Sequence, residues 1–355
     1  MLFKSVFTAA LAGVAIAAPL QHQHHEHQDK RDVKVVTEIV QVTVGANPPA
    51  ATAVAQADAV APAPVVSSPA TVATPATTAA TPATPATIAT GSSAPSTPVG
   101  ASGAKGITYS PYSDDGGCKS TSQITKEIGA LADFGIIRLY GVDCNQVSAV
   151  LAAKTSSQKV FAGIFDVANI ESGIETLASA VKANGGWSEI STVSIGNELV
   201  NNGQANPSQI ESYVKAGRSA LSAAGYTGPV VSVDTFIAVI NNPSLCQYSD
   251  YVAVNAHAFF DGGYAADQAG EWVLSQIQRV SEACGNSKTV VITETGWPSQ
   301  GDSNNKAVPS LENQSAAVSS IKASCGDDAI LFNAYNDVWK APGAFNAEQY
   351  WGILN

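Results

Sequence analysis

From Gly106 onward, eight runs rich in β-branched and other apolar residues recur, and helical patterns separate most of them. Runs of this kind are typical of strands buried on both faces of a sheet. Strands that alternate with helices form parallel sheets, and eight such units close a barrel. The sequence therefore predicts an α/β fold, a (β/α)8 TIM barrel, with an open doubly wound sheet as the alternative. The predicted strands are Gly106–Tyr112, Ile136–Cys144, Lys159–Val167, Val193–Val200, Pro229–Phe236, Tyr251–Phe260, Thr289–Trp297 and Ile330–Trp339.

Helix boundaries are marked in several of the connecting segments. Asn206 and Pro207 provide an N-cap and a first-turn proline for a helix that we expect to run to Gly225. Apolar residues within 124–134 recur at helical spacing and predict a helix that stops before Gly135. The segment after the fifth strand is poorly marked, and no convincing helix follows the eighth. Two further helices are predicted over Glu271–Ala283 and Leu311–Ala323.

The beginning of the chain has the features of a targeting and processing region. Lys4, a short apolar stretch and the small residues of 15–17 are typical of a secretory signal peptide. A dibasic pair at 30–31 is the kind of site that secretory processing proteases cleave. We therefore predict a signal peptide over residues 1–17 and a pro-segment over residues 18–31.

Residues 32–104 consist largely of Ala, Thr, Pro, Val and Ser, with repeated Ala-Thr-Pro. Such a segment has few large side chains to bury and too many prolines for a helix or a sheet. Its composition predicts a disordered, O-glycosylated stalk. All five tryptophans and all five cysteines follow it, so residues 105–355 form the predicted folded domain.

The net charge limits the classes of binding partner, and the cysteine content bears on disulfide formation. A net charge of −11 argues against nucleic acid and anionic membranes. The C-terminus lacks the apolar tail of a lipid-anchor signal, so we predict no membrane anchor. Secretion makes the cysteines disulfide candidates, and five of them allow at most two bridges, with pairing unreadable from the sequence. For the fifth cysteine we weigh burial against a cross-link to a partner, and expect burial.

Two predicted strands end in a glutamate. The seventh continues into TETGWPS at 293–299, and the fourth ends in SIGNE at 194–198. Catalytic groups of barrels stand at the carboxyl ends of strands. Retaining glycoside hydrolysis needs two carboxyl groups there, one to protonate the leaving oxygen and one to attack the sugar carbon. The simpler interpretation is a strand that ends in a solvated glutamate, and because most predicted strands end near an acid, composition alone does not select the pair.

TETGWPS resembles the nucleophile signature of glycoside hydrolase family 17, and SIGNE resembles its acid/base strand. The resemblance covers the chain from about Lys105 to Asn355. That family contains the plant and fungal 1,3-β-glucanases and the fungal wall glucanosyltransferases. The resemblance implies that Glu198 is the acid/base and Glu294 the nucleophile, with carboxyl groups roughly 5–5.5 Å apart.

Five further residues are predicted to contact the substrate. The resemblance places Asn197 where it can bond the sugar 2-hydroxyl. Tyr109, Tyr140 and Trp297 are predicted platforms, since sugar C–H groups pack on aromatic rings, and the alternative for the tyrosines is packing at the barrel rim. A tyrosine hydroxyl can also bond the nucleophile. Asn255, at the end of the sixth strand, completes the set.

Several neighbouring features are less informative. His257 is expected to be a satisfied structural histidine rather than a ligand contact. The turn at 337–340 resembles the acidic-aromatic-lysine turn of the family, although Asn333 and Asn336 stand where acids are expected. The sequence contains no metal-ligand cluster or phosphate loop, so it predicts neither a cofactor nor a metal.

Three functions fit these observations. The first is a secreted enzyme of the cell wall that hydrolyses 1,3-β-glucan with retention. The second is a 1,3-β-glucanosyltransferase that uses the same two glutamates. The third is a wall mannoprotein whose barrel only binds glucan, which the stalk favours and the intact glutamate pair disfavours. In each case the partner is β-glucan, and covalent or disulfide attachment to wall components is a further option.

Overall fold

A single parallel sheet organises residues 102–354, which the computed structural model describes. Within these residues the sheet has nine strands in the order β5-β4-β3-β2-β1-β9-β8-β7-β6. The strands are β1 Gly106–Thr108, β2 Ile136–Arg138, β3 Lys159–Ile164, β4 Ile190–Ile195, β5 Val230–Val231, β6 Val233–Thr235, β7 Val252–Asn255, β8 Val290–Thr295 and β9 Ala329–Leu331.

The strands β5 and β6 are two halves of the fifth predicted strand, separated by Ser232. β5 pairs with β4, whereas β6 pairs with β7. Between them, the Ser232 amide donates to Ser249 Oγ at 2.8 Å rather than to a strand. Because the two ends of the sheet order are consecutive parts of one strand, the sheet closes on itself. This confirms the TIM barrel and is incompatible with an open doubly wound sheet.

The strands are shorter than the apolar runs that predict them. The fourth run extends to Val200, but β4 ends at Ile195 and is followed by Gly196 with φ of 76°. A glycine adopts this conformation without strain and turns the chain out of the sheet. Leu199, beyond it, is buried without belonging to a strand. The runs therefore report burial, and the loops of the barrel mouth begin earlier than the sequence suggests.

Eight α-helices lie within the described residues. α4 begins as predicted, because Asn206 and Gln209 cap each other's backbone amides and Pro207 follows Asn206. α1 ends at Gly129, so the prediction that it continues to Gly135 is wrong. Residues 131–134 form turns with buried apolar side chains, which explains the misleading spacing. The helices are α1 Thr121–Gly129, α2 Gln146–Ala153, α3 Ile170–Ala183, α4 Pro207–Ala223, α5 Phe236–Asn241, α6 Leu245–Tyr248, α7 Ala269–Ala283 and α8 Leu311–Cys325.

The poorly marked segments correspond to short or missing helices. After β6 the chain forms only the short helices α5 and α6. After β9, the part of the chain that is described contains a single 3-10 turn, Ala344–Asn346, and no α-helix.

The hydrophobic core has two parts. A large cluster fills the space between the sheet and the surrounding helices. A small cluster fills the interior of the barrel beneath its mouth. Its buried members are Phe161, Val231, Val233, Ala253 and Ile330.

Two disulfides form, and the remaining cysteine is buried, as expected. Cys118–Cys144 joins the loop after β1 to the segment after β2, and Cys246–Cys284 joins α6 to the end of α7. Cys325, at the end of α8, has a free thiol and is buried.

The residues that immediately precede β1 pack against the barrel. The Ser102 amide donates to the Asp133 carbonyl, and Ala104 is fully buried. The last residues assigned to the stalk thus pack against the barrel. The predicted signal peptide (1–17), the pro-segment (18–31) and the stalk up to residue 101 lie outside the described residues. In residues 102–354, no helix is long and apolar enough to cross a membrane.

Candidate active site

Glu294 lies near the carboxyl end of β8, a strand whose six residues are all buried. Its Oε1 accepts hydrogen bonds from Arg138 Nη1 and from the Tyr140 hydroxyl, both at 2.8 Å. His257 Nε2 lies 3.4 Å from the other oxygen, Oε2. Three side chains, two from β2 and the residues just after it and one from the segment after β7, thus fix the position of one carboxylate.

Opposing effects set the pKa of Glu294. Burial of the carboxyl group acts to raise the pKa, but the Arg138 guanidinium and the contacts with His257 and Tyr140 outweigh it. Together they lower the pKa of Glu294 to about 2. Glu294 is therefore a carboxylate at mildly acidic and neutral pH, as a nucleophile must be.

Glu198 follows β4 in a backbone conformation that is costly for a residue with a side chain. Its φ is 55°, in the left-handed region, which costs on the order of 1–2 kcal/mol for a non-glycine residue. Contacts with the next strands hold it there. The Glu198 amide donates to the Val233 carbonyl at 2.9 Å, and Glu198 Oε1 accepts from Asn255 Nδ2 at 2.8 Å. Such retained strain is typical of functional positions.

The surroundings of Glu198 favour its protonated form. Burial of the carboxyl group and the nearby charge of Glu294 raise the pKa of Glu198 to about 7, although the hydrogen bond from Asn255 acts in the opposite direction. A carboxyl group with this pKa carries a proton at mildly acidic pH and can donate it. The two glutamates therefore have opposite protonation states over the same pH range.

Arg138, in β2, connects the two glutamates and was not identified by the sequence analysis. Its Nη1 contacts Glu294, and its Nη2 donates to Asn197 Oδ1 at 2.8 Å. Asn255 Oδ1 lies 3.4 Å from Nη1, and the Asn255 amide nitrogen reaches Glu198. The guanidinium also lies over the ring of Tyr140, 4.5 Å from its centroid. Arg138 therefore links the nucleophile candidate to the residues around the acid candidate.

A signal for Arg138 was present in the sequence. The predicted second strand reads Ile-Ile-Arg-Leu-Tyr at 136–140, with one charge inside an apolar run. Arginine is rarely fully buried unless it is paired. Arg138 is 1% exposed, so the run itself indicated a buried anion nearby.

Three predicted substrate residues lie beside the carboxyl pair. The Tyr140 hydroxyl donates a hydrogen bond to Glu294, which is one of the two roles predicted for this residue. Asn197 is half-buried, and its Oδ1 accepts from Arg138. Asn255 is 2% exposed, and it accepts from Thr293 Oγ1 at 2.8 Å while donating to Glu198. Asn255 thus positions Glu198 in this structure.

The other two predicted substrate residues are placed in the core. Tyr109 is fully buried, and its hydroxyl donates to Glu127 Oε2 at 2.7 Å. Trp297 is also fully buried, and its Nε1 donates to the Val308 carbonyl at 3.0 Å. Neither ring has a face open to solvent, so the structure does not bring these residues to a sugar-binding surface. An aromatic residue at a strand end can equally fill the core, and the sequence pattern does not distinguish the two outcomes.

His257 contacts Glu294 instead of having a purely structural environment. Its ring also packs edge-on against Trp351, at 4.9 Å between centroids, and against Phe332 at 5.4 Å. Packing on these sides holds the imidazole against the carboxylate.

The turn after β9 adds a positive charge near Glu294. Lys340 Nζ lies 3.0 Å from Glu348 Oε1 and 3.3 Å from Asp337 Oδ2. Burial acts to lower the pKa of Lys340, but Glu348, Asp337 and Glu294 outweigh it and raise that pKa. Asn333, where the family resemblance leads us to expect an acid, donates to Asp337 Oδ2 at 2.8 Å. Among the described residues, no group of three or more His, Cys, Asp or Glu side chains could hold a metal ion.

A (β/α)8 barrel with an ionised and a protonatable carboxyl group at the ends of its fourth and seventh units is the arrangement of a glycoside hydrolase. Residues 106–352 match the family model described as the BtgE/BtgC glycoside hydrolase domain. The chain belongs to this family, and relatives named family 17 glucosidases place it within glycoside hydrolase family 17.

Similar proteins agree with this assignment. The chain is 61% identical to the cell surface mannoprotein MP65 of Candida albicans, over the full length of both chains. It is 62% identical to the probable family 17 glucosidase SCW10 of Saccharomyces cerevisiae, over 71% of this chain and 65% of the relative. A crystal structure of a family 17 β-1,3-glucanosyltransferase from Rhizomucor miehei has the same fold, with a TM-score of 0.60 and 22% identity, covering 72% of this chain and 94% of that one.

Proposed function

We propose that this protein is a secreted enzyme that acts on 1,3-β-glucan of the cell wall with retention, with Glu198 as acid/base and Glu294 as nucleophile. The observation that carries the proposal is the different environment of the two glutamates at the barrel mouth: Arg138 and Tyr140 bind Glu294 at 2.8 Å, whereas, among the described residues, Asn255 alone binds the Glu198 side chain at 2.8 Å. These contacts agree with the opposite pKa shifts, to about 2 for Glu294 and about 7 for Glu198. The substrate is supported by the structural neighbour from Rhizomucor miehei, which is a β-1,3-glucanosyltransferase and has been solved as an active-site mutant with laminaritriose.

In the first step, the protonated Glu198 donates its proton to the glycosidic oxygen. The Glu294 carboxylate attacks the anomeric carbon, the bond to the leaving sugar breaks, and a glycosyl ester of Glu294 forms. Arg138 and Tyr140 hold the attacking carboxylate in place. Asn197 is placed next to Glu198 in the chain and contacts the sugar 2-hydroxyl in this proposal.

In the second step, Glu198 acts as a base. Esterification removes the charge of Glu294, which is one cause of the raised pKa of Glu198. The pKa of Glu198 therefore falls once the intermediate has formed, and the carboxylate can take a proton from the incoming hydroxyl. Attack by that oxygen on the anomeric carbon releases Glu294 with overall retention.

The incoming hydroxyl belongs either to water or to another sugar. The name of the Rhizomucor miehei neighbour favours transfer to a sugar as a second candidate activity. Elongated products from laminari-oligosaccharides indicate transfer, whereas exclusively shorter products indicate hydrolysis. The anomeric configuration of the first product, read by proton NMR, tests retention in either case.

The proposed location is the cell wall, outside the cell. The relative from Candida albicans is named a cell surface mannoprotein. The signal-like residues at the start of the chain and the Ser/Thr/Pro-rich segment that follows are consistent with export and with a stalk. Covalent attachment to wall components is part of the same proposal, but a disulfide link is not, because four cysteines pair with each other and Cys325 is buried.

Variants that remove each carboxyl group test the catalytic assignment. We expect Glu198→Gln and Glu294→Ala to lose at least about a hundredfold in turnover of laminari-oligosaccharides, because each removes a group that acts in the transition state. Glu211→Gln, on the exposed side of α4, is the control and should retain full activity. Unchanged turnover in both site variants would contradict the assignment of these two glutamates, and no turnover in the unsubstituted chain would leave a glucan-binding role.

A further inference from the structure

Two aromatic rings, Tyr112 and Trp339, lie together in the loops that follow β1 and β9. Their centroids are 4.7 Å apart and the rings are tilted by 59°. Trp339 is 36% exposed and Tyr112 is half-buried. Each ring is held through its polar atom, since the Tyr112 hydroxyl donates to Asp143 Oδ2 at 2.7 Å and Trp339 Nε1 donates to Asp337 Oδ1 at 3.1 Å.

The loop that carries Tyr112 is held next to Asp143 by a disulfide and by backbone hydrogen bonds. Tyr112 forms an isolated antiparallel bridge with Cys118, and Cys118 is joined to Cys144 by a disulfide. Asp143, which binds the Tyr112 hydroxyl, immediately precedes Cys144. At the base of the loop, the Lys119 amide donates to the Pro111 carbonyl at 2.8 Å. A covalent bond and a hydrogen bond thus run side by side from this loop to the segment after β2.

The aromatic pair belongs to the Glu294 side of the mouth. β9, which leads to Trp339, pairs with β8, which carries Glu294, and with β1, which leads to Tyr112. Asp337 binds both Trp339 and Lys340, and the charge of Glu294 acts on Lys340. β4, which leads to Glu198, is four positions from β9 in the sheet order. The pair therefore flanks the catalytic groups without touching either glutamate.

The chemistry of this patch fits a neutral sugar. Aromatic faces that are partly exposed provide an apolar surface for sugar C–H groups, and large exposed apolar surface usually marks a binding site. Asp143 is exposed and can accept a hydrogen bond from a sugar hydroxyl, whereas Asp337 is buried and already binds Asn333, Trp339 and Lys340. The same negative charges disfavour an anionic ligand.

We infer that Tyr112 and Trp339 form a subsite for a glucosyl unit remote from the cleaved bond, and that the Cys118–Cys144 disulfide positions it. The inference deepens the proposed function and rests on its glucan substrate. A subsite of this kind adds binding energy that is equal in the ground and transition states, so it affects KM more than kcat.

Binding to the inactivated full-length chain tests the subsite directly. Laminarihexaose is titrated calorimetrically into Glu294→Gln and into the same protein carrying Trp339→Ala. We expect Trp339→Ala to weaken binding about tenfold, in the range for a buried aromatic contact, and Trp339→Phe to restore most of the affinity. In the active enzyme, Trp339→Ala should raise KM with little change in kcat.

The second disulfide provides a matched control for the positioning role. In the Glu294→Gln background, the Cys118→Ser/Cys144→Ser pair should weaken laminarihexaose binding about as much as Trp339→Ala. Cys246→Ser/Cys284→Ser removes the bridge between α6 and α7 and should leave affinity unchanged. Each double variant lacks one disulfide and the chain constraint that it provides. A general loss of stability would therefore weaken laminarihexaose binding in both variants, whereas the positioning role predicts weaker binding only in the variant without Cys118–Cys144.

Separate outcomes identify which idea fails. If Glu294→Gln itself binds no laminari-oligosaccharide, the proposed glucan specificity fails and the subsite with it. If it binds and Trp339→Ala binds equally well, the subsite alone is wrong. If both disulfide variants lose affinity equally, or if neither does, the positioning role is wrong. Near-UV circular dichroism confirms that each variant is folded, and Tyr112→Ala tests the subsite with both disulfides intact.

Discussion

Glu198 and Glu294 are chemically the same residue, and their neighbours alone separate their pKa values. At Glu294 burial acts to raise the pKa, but Arg138, His257 and Tyr140 together outweigh it, whereas no cation contacts Glu198 among the described residues and burial dominates there. The charge of Glu294 then raises the pKa of Glu198 further. The three side chains around Glu294, with the Arg138 guanidinium contributing most, thus decide which carboxyl group is ionised and which keeps a proton.

The pH dependence of kcat/KM should reflect this separation. Activity requires Glu198 protonated and Glu294 ionised, so we expect kcat/KM on laminari-oligosaccharides to fall as pH rises through about 7. On the acid side, ionisation of Glu294 limits activity only near pH 2, as long as the fold survives. An alkaline limb near the ordinary glutamate value, 4.5, would contradict the raised pKa of Glu198.

Arg138 should matter for stability as well as for activity. Arg138→Met leaves the buried Glu294 charge unpaired, which is expected to cost about 3–5 kcal/mol in the free energy of unfolding. Adding Glu294→Gln removes that charge, so the double variant should be more stable than Arg138→Met alone. Denaturant unfolding measures both, and a double variant less stable than the single one would show that Arg138 acts mainly through packing.

Elements whose boundaries are set by local contacts followed the sequence closely. α4 begins at Pro207 because Asn206 and Gln209 satisfy each other's backbone groups, and these residues are readable in sequence order. The end of α1 was misjudged because Leu131 and Phe134 remain buried in turns beyond Gly129. Apolar spacing records which side chains face the core, and it does not record which backbone carries them.

Two asparagines at helix starts allow a test of capping. Asn206→Ala should cost about 1 kcal/mol in the free energy of unfolding, because its side chain accepts from the Gln209 amide. Asn169 also precedes a helix, α3, but its side chain makes no capping bond. Asn169→Ala should therefore cost less, and thermal unfolding of the two variants side by side checks the difference. Equal losses would mean that the cap contributes little here.

At the scale of the whole molecule, the barrel depends on contacts between residues far apart in the chain. It closes through a strand broken at Ser232, whose amide is satisfied by Ser249 from another segment. Residues assigned to the stalk also pack against the barrel, because Ala104 is buried and the adjacent Lys105 amide donates to the Gly326 and Ala329 carbonyls. The packed unit therefore includes residues 102–104.

Truncations at two neighbouring positions test that boundary. A chain that begins at residue 102 should keep the melting temperature and the kcat/KM of the full chain on soluble oligosaccharides. A chain that begins at residue 106 loses the burial of Ala104 and the hydrogen bonds of Ser102 and Lys105. Its melting temperature should fall by about 2–4 °C for each kcal/mol lost. Identical melting curves for the two chains would place the boundary after residue 105.

The sequence by itself determined the alternation of strands and helices, the strand-end positions of both glutamates, and the upper limit of two disulfides, because each depends on residue type and local order. Only the tertiary structure decided that Tyr140 reaches Glu294 while Tyr109 and Trp297 fill the core. It also decided that Arg138 joins Glu294 to Asn197, and that Cys118 pairs with Cys144. The physical reason is that a pKa, a buried ion pair and an exposed ring face depend on groups from other strands, and strand order along the chain does not specify which of their side chains meet.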